Sequence, residues 1–303
     1  MKPGALLALT GGSGFIGRHF ADAAKARGYR IRHLGRQRPA AAAEADEFRS
    51  LDLSSLDPNA SLLKGCDALV HLAAYIPRNH EDSAEAARCW HVNALGTLGL
   101  LEMAGRGDVA YVVQTSSANA YAPTTLSPDE GSALFPSSRG YYLGSKIMQE
   151  IYAEQYCRTT GLTLGTLRLG SVYGPGQESG ALGNMVRAAQ AGQPIQVIGS
   201  GRFGSDLVLV NDVVEALLLV LEGESSGPFN VGSGIRTSIA ELARALTDLT
   251  GSPIHQDMSS GESDWGFPAL NIERLKALGY CPTPIGTGLR AMLPCGGEIA
   301  PNA

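Results

Sequence analysis

The sequence predicts an α/β protein, a doubly wound parallel sheet with a smaller C-terminal α/β region. Three observations predict it. Short apolar runs alternate with helical stretches through the first half of the 303 residues. A glycine-rich turn, TGGSGFIG at 10–17, joins the first run to the first helical stretch. The pattern then changes, and residues 171–205 become rich in glycine and proline. Apolar runs separated by helices are what a sheet covered on both faces requires.

The elements follow in order. ALLALT (5–10) reads as a strand and FIGRHFADAAKARG (15–28) as a helix ended by Gly28. YRIRHLG (29–35) and ALVHLAA (68–74) read as strands, and residues 83–105 as helical. VAYVVQTSS (109–117) is a strand, SKIMQEIYAEQYCRTTG (145–161) a helix and LTLGTLRLG (162–170) a strand. SDLVLVNDVVEALLLVLEG (205–223) reads as a short strand running into a helix, and GPFNVGSG (227–234) as a strand and loop. SIAELARALTDLTG (238–251) is a helix opened by a capping box of Ser238 and Glu241. The expected division is a dinucleotide-binding domain over 1–170 that also receives about 206–235. Residues 171–205 and 236–303 are left for a substrate-binding region.

Composition narrows the function. A net charge of −5 gives no electrostatic reason to expect nucleic acid or an anionic membrane. The longest apolar run, ALLLVL at 216–221, is far short of the ~20 residues of a membrane helix. The opening MKPGALLALTGG reads as a strand entering the glycine turn rather than as a leader. Five scattered cysteines (Cys66, Cys89, Cys157, Cys281, Cys295) form no CxxC, so reduced thiols and a cytoplasmic location are expected. Histidines are equally dispersed, and no metal site is expected.

The glycine turn has a physical reading. Gly12, Gly14 and Gly17 satisfy GxGxxG, and Gly11, Gly14 and Gly17 satisfy GxxGxxG. Glycines there allow a tight turn and close approach of backbone to a pyrophosphate, and the helix N-terminus supplies N–H groups. After a strand and before a helix, this is the signature of a Rossmann dinucleotide fold. The second strand ends in HLGRQR, with Gly35 where an acid would hold the ribose of NAD. Arg36 and Arg38 follow, and guanidiniums suit the extra phosphate of NADP. NADP is the expected cofactor, with Arg36 the better candidate and NAD the alternative. Asp52, in SLDLSS, suits a hydrogen bond to the adenine edge.

Lysine is scarce, five against nineteen arginines, and one of the five, Lys146, lies four residues after Tyr142. On a helix that spacing puts both on one face, with Cβ atoms roughly 6 Å apart. A free phenol, with a pKa of about 10, is a poor proton shuttle near neutrality, and an ammonium beside it favours the phenolate. Ser117, at the carboxyl end of its strand, is placed to hold a reacting oxygen.

With these motifs the sequence resembles the extended short-chain dehydrogenase/reductase family, the nucleotide-sugar epimerase, dehydratase and reductase group. The resemblance rests on TGGSGFIG, HLAA (71–74), Asn93 with ALGT (94–97), QTSSANAYA (114–122), YYLGSK (141–146), RLGSVYGPG (168–176) and GSGRFGSDLVLVNDV (199–213). It implies that Gly11, Gly14, Phe15, Ile16 and Gly17 line the pyrophosphate. Leu53, Leu72, Ala73 and Ala74 would pass beside the cofactor. It makes Ser117, Tyr142 and Lys146 the catalytic set, with Tyr142 exchanging the proton and Lys146 tuning it and holding the ribose, and it counts Tyr142 and Lys146 among the cofactor-binding residues too. Asn93 would support the site. Substrate would meet Ser117, Asn119, Ser171 and Arg202.

Departures from the family pattern carry information. Sugar dehydratases of the family place an Asp-Glu pair after the catalytic hydroxyl residue; here stand Ala118 and Asn119. Ser171 replaces a frequent asparagine, and Ser205 stands where an arginine often grips the substrate diphosphate, with Arg202 as its substitute. Trp265 is a candidate for stacking on a ring. The implied function is an NADP-dependent ketoreductase acting on a keto-sugar nucleotide or related keto compound. The alternative is a nucleotide-sugar epimerase with no net redox change. A homodimer through 83–105 and 145–160 is the family's usual assembly.

Overall fold

The computed structural model describes residues 1–123, 125–177, 180–259 and 266–293. The chain opens with strand β1 (Leu6–Thr10), helix α1 (Phe15–Ala26) and strand β2 (Arg30–Gly35). β3 (Glu47–Ser50) and β4 (Ala68–His71) follow. α2 (Glu85–Cys89) runs through a π-helical turn, Trp90–Leu95, into α3 (Gly96–Gly105). β5 (Tyr111–Ser117), α4 (Gly140–Thr160) and β6 (Thr163–Leu169) complete the first half. Beyond lie β7 (Ser171–Tyr173), α5 (Gly180–Gln190), β8 (Ile195–Ile198), β9 (Gly204–Leu209) and α6 (Val210–Glu222). The chain ends in β10 (Gly227–Val231), β11 (Arg236–Ser238), α7 (Ile239–Thr250), β12 (Ile254–Asp257), α8 (Glu273–Lys276) and α9 (Ile285–Met292).

Seven strands form one sheet in the order β10-β6-β5-β4-β1-β2-β3. All its pairs are parallel. Alternate residues face opposite sides of a strand, and both sides are apolar here. Leu7, Leu9 and Val113 pack with Phe20 and Ala24 of α1 and Val213 and Leu217 of α6. Leu6, Ala8 and Val112 pack with Leu100 and Leu101 of α3 and Ala153 and Cys157 of α4. The sheet is therefore covered on both faces, the doubly wound arrangement expected. A third core joins α5, α7 and α9 through Val186, Leu242, Leu246 and Leu289. It lies against two small sheets, β11-β9-β7 and β12-β8.

Several local differences from the sequence reading have physical causes. β3 was not expected: it is a partly exposed edge strand whose single apolar residue, Phe48, makes no run. α4 begins five residues earlier than the apolar pattern suggested, so Tyr142 lies in its first turn. The 206–235 stretch divides. α6 and β10 join the large sheet and its cover, whereas β9 pairs with β7 and β11 in a small sheet. No described helix is long and apolar enough to cross a membrane. The capping box is present, with Ser238 and Glu241 bonding each other's backbone N–H.

Candidate active site

The turn after β1 is held by contacts that leave no room for side chains. Gly11 has φ +73°, and a Cβ on it would lie 2.7 Å from the Ala73 backbone nitrogen. A Cβ on Gly17 would lie 2.0 Å from the Gly11 carbonyl oxygen. That carbonyl accepts the Gly14 N–H at 2.9 Å. Gly14 caps α1 without any side-chain hydrogen bond, so the first N–H groups of the helix are left for a ligand.

A cleft of about 1060 Å³ opens over this turn. It brings together Gly11, Gly14, Phe15, Ile16, Gly17, Arg36, Asp52, Leu53, Leu72, Ala73, Ala74, Ser117 and Tyr142. A bare glycine cradle beside an uncapped helix N-terminus, on a cleft of this size, fits a dinucleotide.

The two arginines after β2 part company. Arg38 donates to the carbonyls of Ala43 at 2.7 Å and Asp46 at 3.0 Å, and so shapes its own loop. Arg36 makes no hydrogen bond or ion pair among the described residues and lines the cleft. Asp52 faces it. Its carboxylate accepts from the Ser54 N–H and hydroxyl, bonds that, with weaker help from Arg36 and Arg88, hold its pKa below the ordinary value.

Beneath the floor runs a polar chain that spacing alone did not reveal. The Ala73 N–H donates to Thr10 Oγ1 at 3.2 Å, and Thr10 Oγ1 meets His71 Nδ1 at 2.7 Å. His71 Nε2 meets Thr97 Oγ1 at 2.8 Å, and Thr97 donates onward to the Asn93 carbonyl. Because Thr97 spends its proton on Asn93, His71 must carry its own on Nε2 and accept at Nδ1. Burial, helped by Lys146, pulls His71 down to about 3, so it stays neutral. Asn93 sits in the π-helical turn and brackets Tyr75, accepting its N–H at 2.7 Å and donating to its carbonyl at 2.9 Å. Its amide also donates to Ser145 Oγ at 2.9 Å, one residue from the lysine.

Ser117 ends β5, buried, and its Oγ accepts the Asn119 N–H at 3.3 Å. Tyr142 lines the cleft, with the His80 ring edge-on at 6.1 Å. Burial pushes the phenol up to about 12, and Arg139 is the charge that opposes this. The sequence reading expected Lys146 in that role. Its ammonium instead donates to the Thr115 carbonyl at 2.8 Å and to Gln149 Oε1 at 2.5 Å. Burial pulls it down to about 8.

Of the expected substrate residues, Ser117 lines the cleft, whereas Asn119, Ser171 and Arg202 lie outside its lining. Gly170 and Val172 form the wall on either side of half-buried Ser171. Arg202 is exposed, and its carbonyl accepts from Arg236 at 2.7 Å. Ser205 is buried in β9. Asp206 beside it accepts N–H groups from Ser233, Gly234 and Leu270, tying β9 to the loop after β10. Trp265 lies outside the described residues. Among the described residues no group of three or more potential metal ligands occurs. Tyr75 and Arg88 also line the cleft, the guanidinium stacked 4.2 Å over the ring, and sequence spacing did not single them out.

Comparison with known proteins agrees with this geometry. The sequence model of the NAD dependent epimerase/dehydratase family matches residues 7–232. A UDP-glucose 4-epimerase of Mycolicibacterium smegmatis is 31% identical, over 81% of this chain and 82% of its own length. A dTDP-4-dehydro-6-deoxy-D-allose reductase of Streptomyces bikiniensis is 30% identical over 94% of each. The crystal structure of a UDP-glucose 4-epimerase from Thermotoga maritima, with UDP-glucose, superposes with a TM-score of 0.81 at 27% identity, covering 95% of this chain and 97% of that one.

Proposed function

The chain belongs to the NAD dependent epimerase/dehydratase family, and from that premise we propose that it is an NADP(H)-dependent ketoreductase of keto-sugar nucleotides. The observation that carries this reading is Arg36, which lines the cleft beside Gly35, where no acid stands to hold the ribose of NAD. Tyr142 lines the same cleft, and burial favours its protonated form. A loaded phenol suits a reductase, which must protonate the oxygen of a ketone as its carbon is reduced.

In this reading the N–H groups at the start of α1 hold the pyrophosphate, and Arg36 takes the 2′-phosphate of NADP. Asp52 and Leu53 border the adenine end, and Leu72, Ala73 and Ala74 run alongside. A nicotinamide bound there would supply the hydride chemistry. Ser117 donates to the substrate oxygen, Tyr142 gives it a proton, and Lys146 holds the ribose. Asn119, Ser171 and Arg202 are the substrate-side residues, with Arg202 meeting the diphosphate in place of an arginine at Ser205. Ala118 and Asn119 offer no carboxylate for water elimination, which argues against a dehydratase. The division into a dinucleotide part and a substrate part belongs to the same proposal, as does a cytoplasmic location.

A homodimer through α3 and α4 is part of the reading too. Trp90 is 38%, Leu95 40% and Ile151 51% exposed on and beside these helices, apolar area that a second copy would cover. The second reading, an epimerase that retains NAD, is favoured by the kinship to UDP-glucose 4-epimerases. Denaturing freshly purified protein and identifying the released dinucleotide separates the two. Empty protein that prefers NADPH to NADH supports the reductase. Near-stoichiometric bound NAD overturns it in favour of the epimerase.

A further inference from the structure

A line of buried amides runs from the Lys146 ammonium across β5 to β6. Gln149, one turn beyond the lysine on α4, accepts from Nζ at 2.5 Å. Its own Nε2 donates to Gln114 Oε1 at 2.9 Å. Gln114 Nε2 then donates to Thr166 Oγ1 at 3.1 Å. Gln149 is 0% and Gln114 1% exposed. Burying two long polar side chains costs desolvation, which an apolar pair would avoid.

The directions of the bonds are set throughout. An ammonium has only protons to give, so Gln149 must offer its oxygen. Its NH2 then faces Gln114 and requires an oxygen there. That leaves the Gln114 NH2 for Thr166. Turning either amide over would set donor against donor in a buried site. The acceptor at the lysine is also neutral. The neighbouring carboxylate, Glu150, is engaged by Arg168 at 2.8 Å. The ammonium is therefore fixed without a counter-ion in contact, and its charge stays available to a ligand.

We infer that Gln149, oriented by Gln114 and Thr166, is a positioning residue that sets where the Lys146 ammonium sits and how long it stays charged as pH rises. The inference rests on the reading of Lys146 as the lysine that holds the cofactor. Glu150 is the charge that supports the ammonium, and neutral His71 faces it from β4. The other titratable side chains on elements packed against α4 include Glu85, Arg88, Cys89, His91, Glu102 and Tyr111.

The test compares Gln149→Met, which removes the acceptor, with Gln149→Glu, which makes it a carboxylate. Two readouts are followed against pH: NADPH affinity by quenching of protein fluorescence, and thermal unfolding of the cofactor-free protein. Between about 8 and 10.5 the unfolded chain holds the lysine proton and the folded chain does not, so stability climbs with pH there. Gln149→Met should move the start of that climb, and the alkaline loss of NADPH affinity, to lower pH by about one unit. Gln149→Glu should move both to higher pH. Both variants keeping the wild-type profiles, or both moving the same way, overturns the inference. If Gln149→Met does not fold, Gln149→Glu decides alone, by an upward move or none. If the unfolding profiles move and the binding profiles do not, Gln149 still governs the lysine, and the reading of Lys146 as a cofactor ligand falls.

Discussion

The two ends of the cleft are built differently. At the end proposed for adenine, Arg36 and Asp52 stand exposed on loops after β2 and β3, and only Asp52 is held, by Ser54 of its own turn. At the end proposed for the reaction, Ser117 closes a buried strand, and Lys146 is locked by two hydrogen bonds. The difference separates two tasks. Chemistry needs groups fixed in place by packing. In the proposed function, cofactor choice would rest on Arg36, an exposed side chain that can be exchanged without disturbing a core.

The contrast can be broken in five ways, of falling size. Tyr142→Phe should lower turnover about 10³-fold and leave dinucleotide affinity near the wild-type value. An equal loss of binding, by calorimetry, would mean that the reacting end also carries affinity. Gly17→Ala forces a Cβ to within 2.0 Å of the Gly11 carbonyl. It should cost about 2 kcal/mol of stability by denaturant unfolding and more than tenfold in affinity for either dinucleotide. Arg36→Ala should weaken NADPH by about 10- to 100-fold and leave NADH unchanged, since a charged hydrogen bond is lost to one cofactor alone. Equal weakening of both would end the NADP assignment. Reductive turnover should fall about tenfold per pH unit above about 8, as Lys146 loses its proton while Tyr142 keeps its own. A pH–rate profile flat to 10 would remove the lysine from that role. Ser238→Ala removes the cap of α7, far from both ends, and should cost about 1 kcal/mol with dinucleotide affinity unchanged.

Much of the large sheet was legible because its inner strands are buried on both faces and open on apolar runs, as LLAL of β1 and ALV of β4 do. β3 was not, because Glu47, Arg49 and Ser50 give an exposed edge no pattern to show. The segment after residue 170 hid α5 and β8 behind glycines and prolines that punctuate it. Periodicity saw one helix over 83–105 and missed the π-helical turn that aims Asn93 at Tyr75. The glycine cradle and the Tyr142–Lys146 spacing were readable because each obeys a local rule. Spacing placed both side chains on one helix face but could not show that the ammonium turns to Thr115 and Gln149. It also could not divide Arg36 from Arg38, since the carbonyls that occupy Arg38 come from a loop of no regular form.

One consequence of the strand order concerns synthesis. β10 pairs with β6, yet β7, α5, β8, β9 and α6 lie between them in the chain. A nascent chain that has reached Leu169 therefore has six strands in place and a bare edge on β6. That edge waits until Val231 has left the ribosome. In the interval it offers unpaired N–H and C=O groups, a template for the wrong partner. Fragments ending near residue 170 should be prone to aggregation for the same reason, although every glycine of the cradle is present in them. The cofactor fold is thus completed last by a strand that belongs, in order of synthesis, to the other half of the protein.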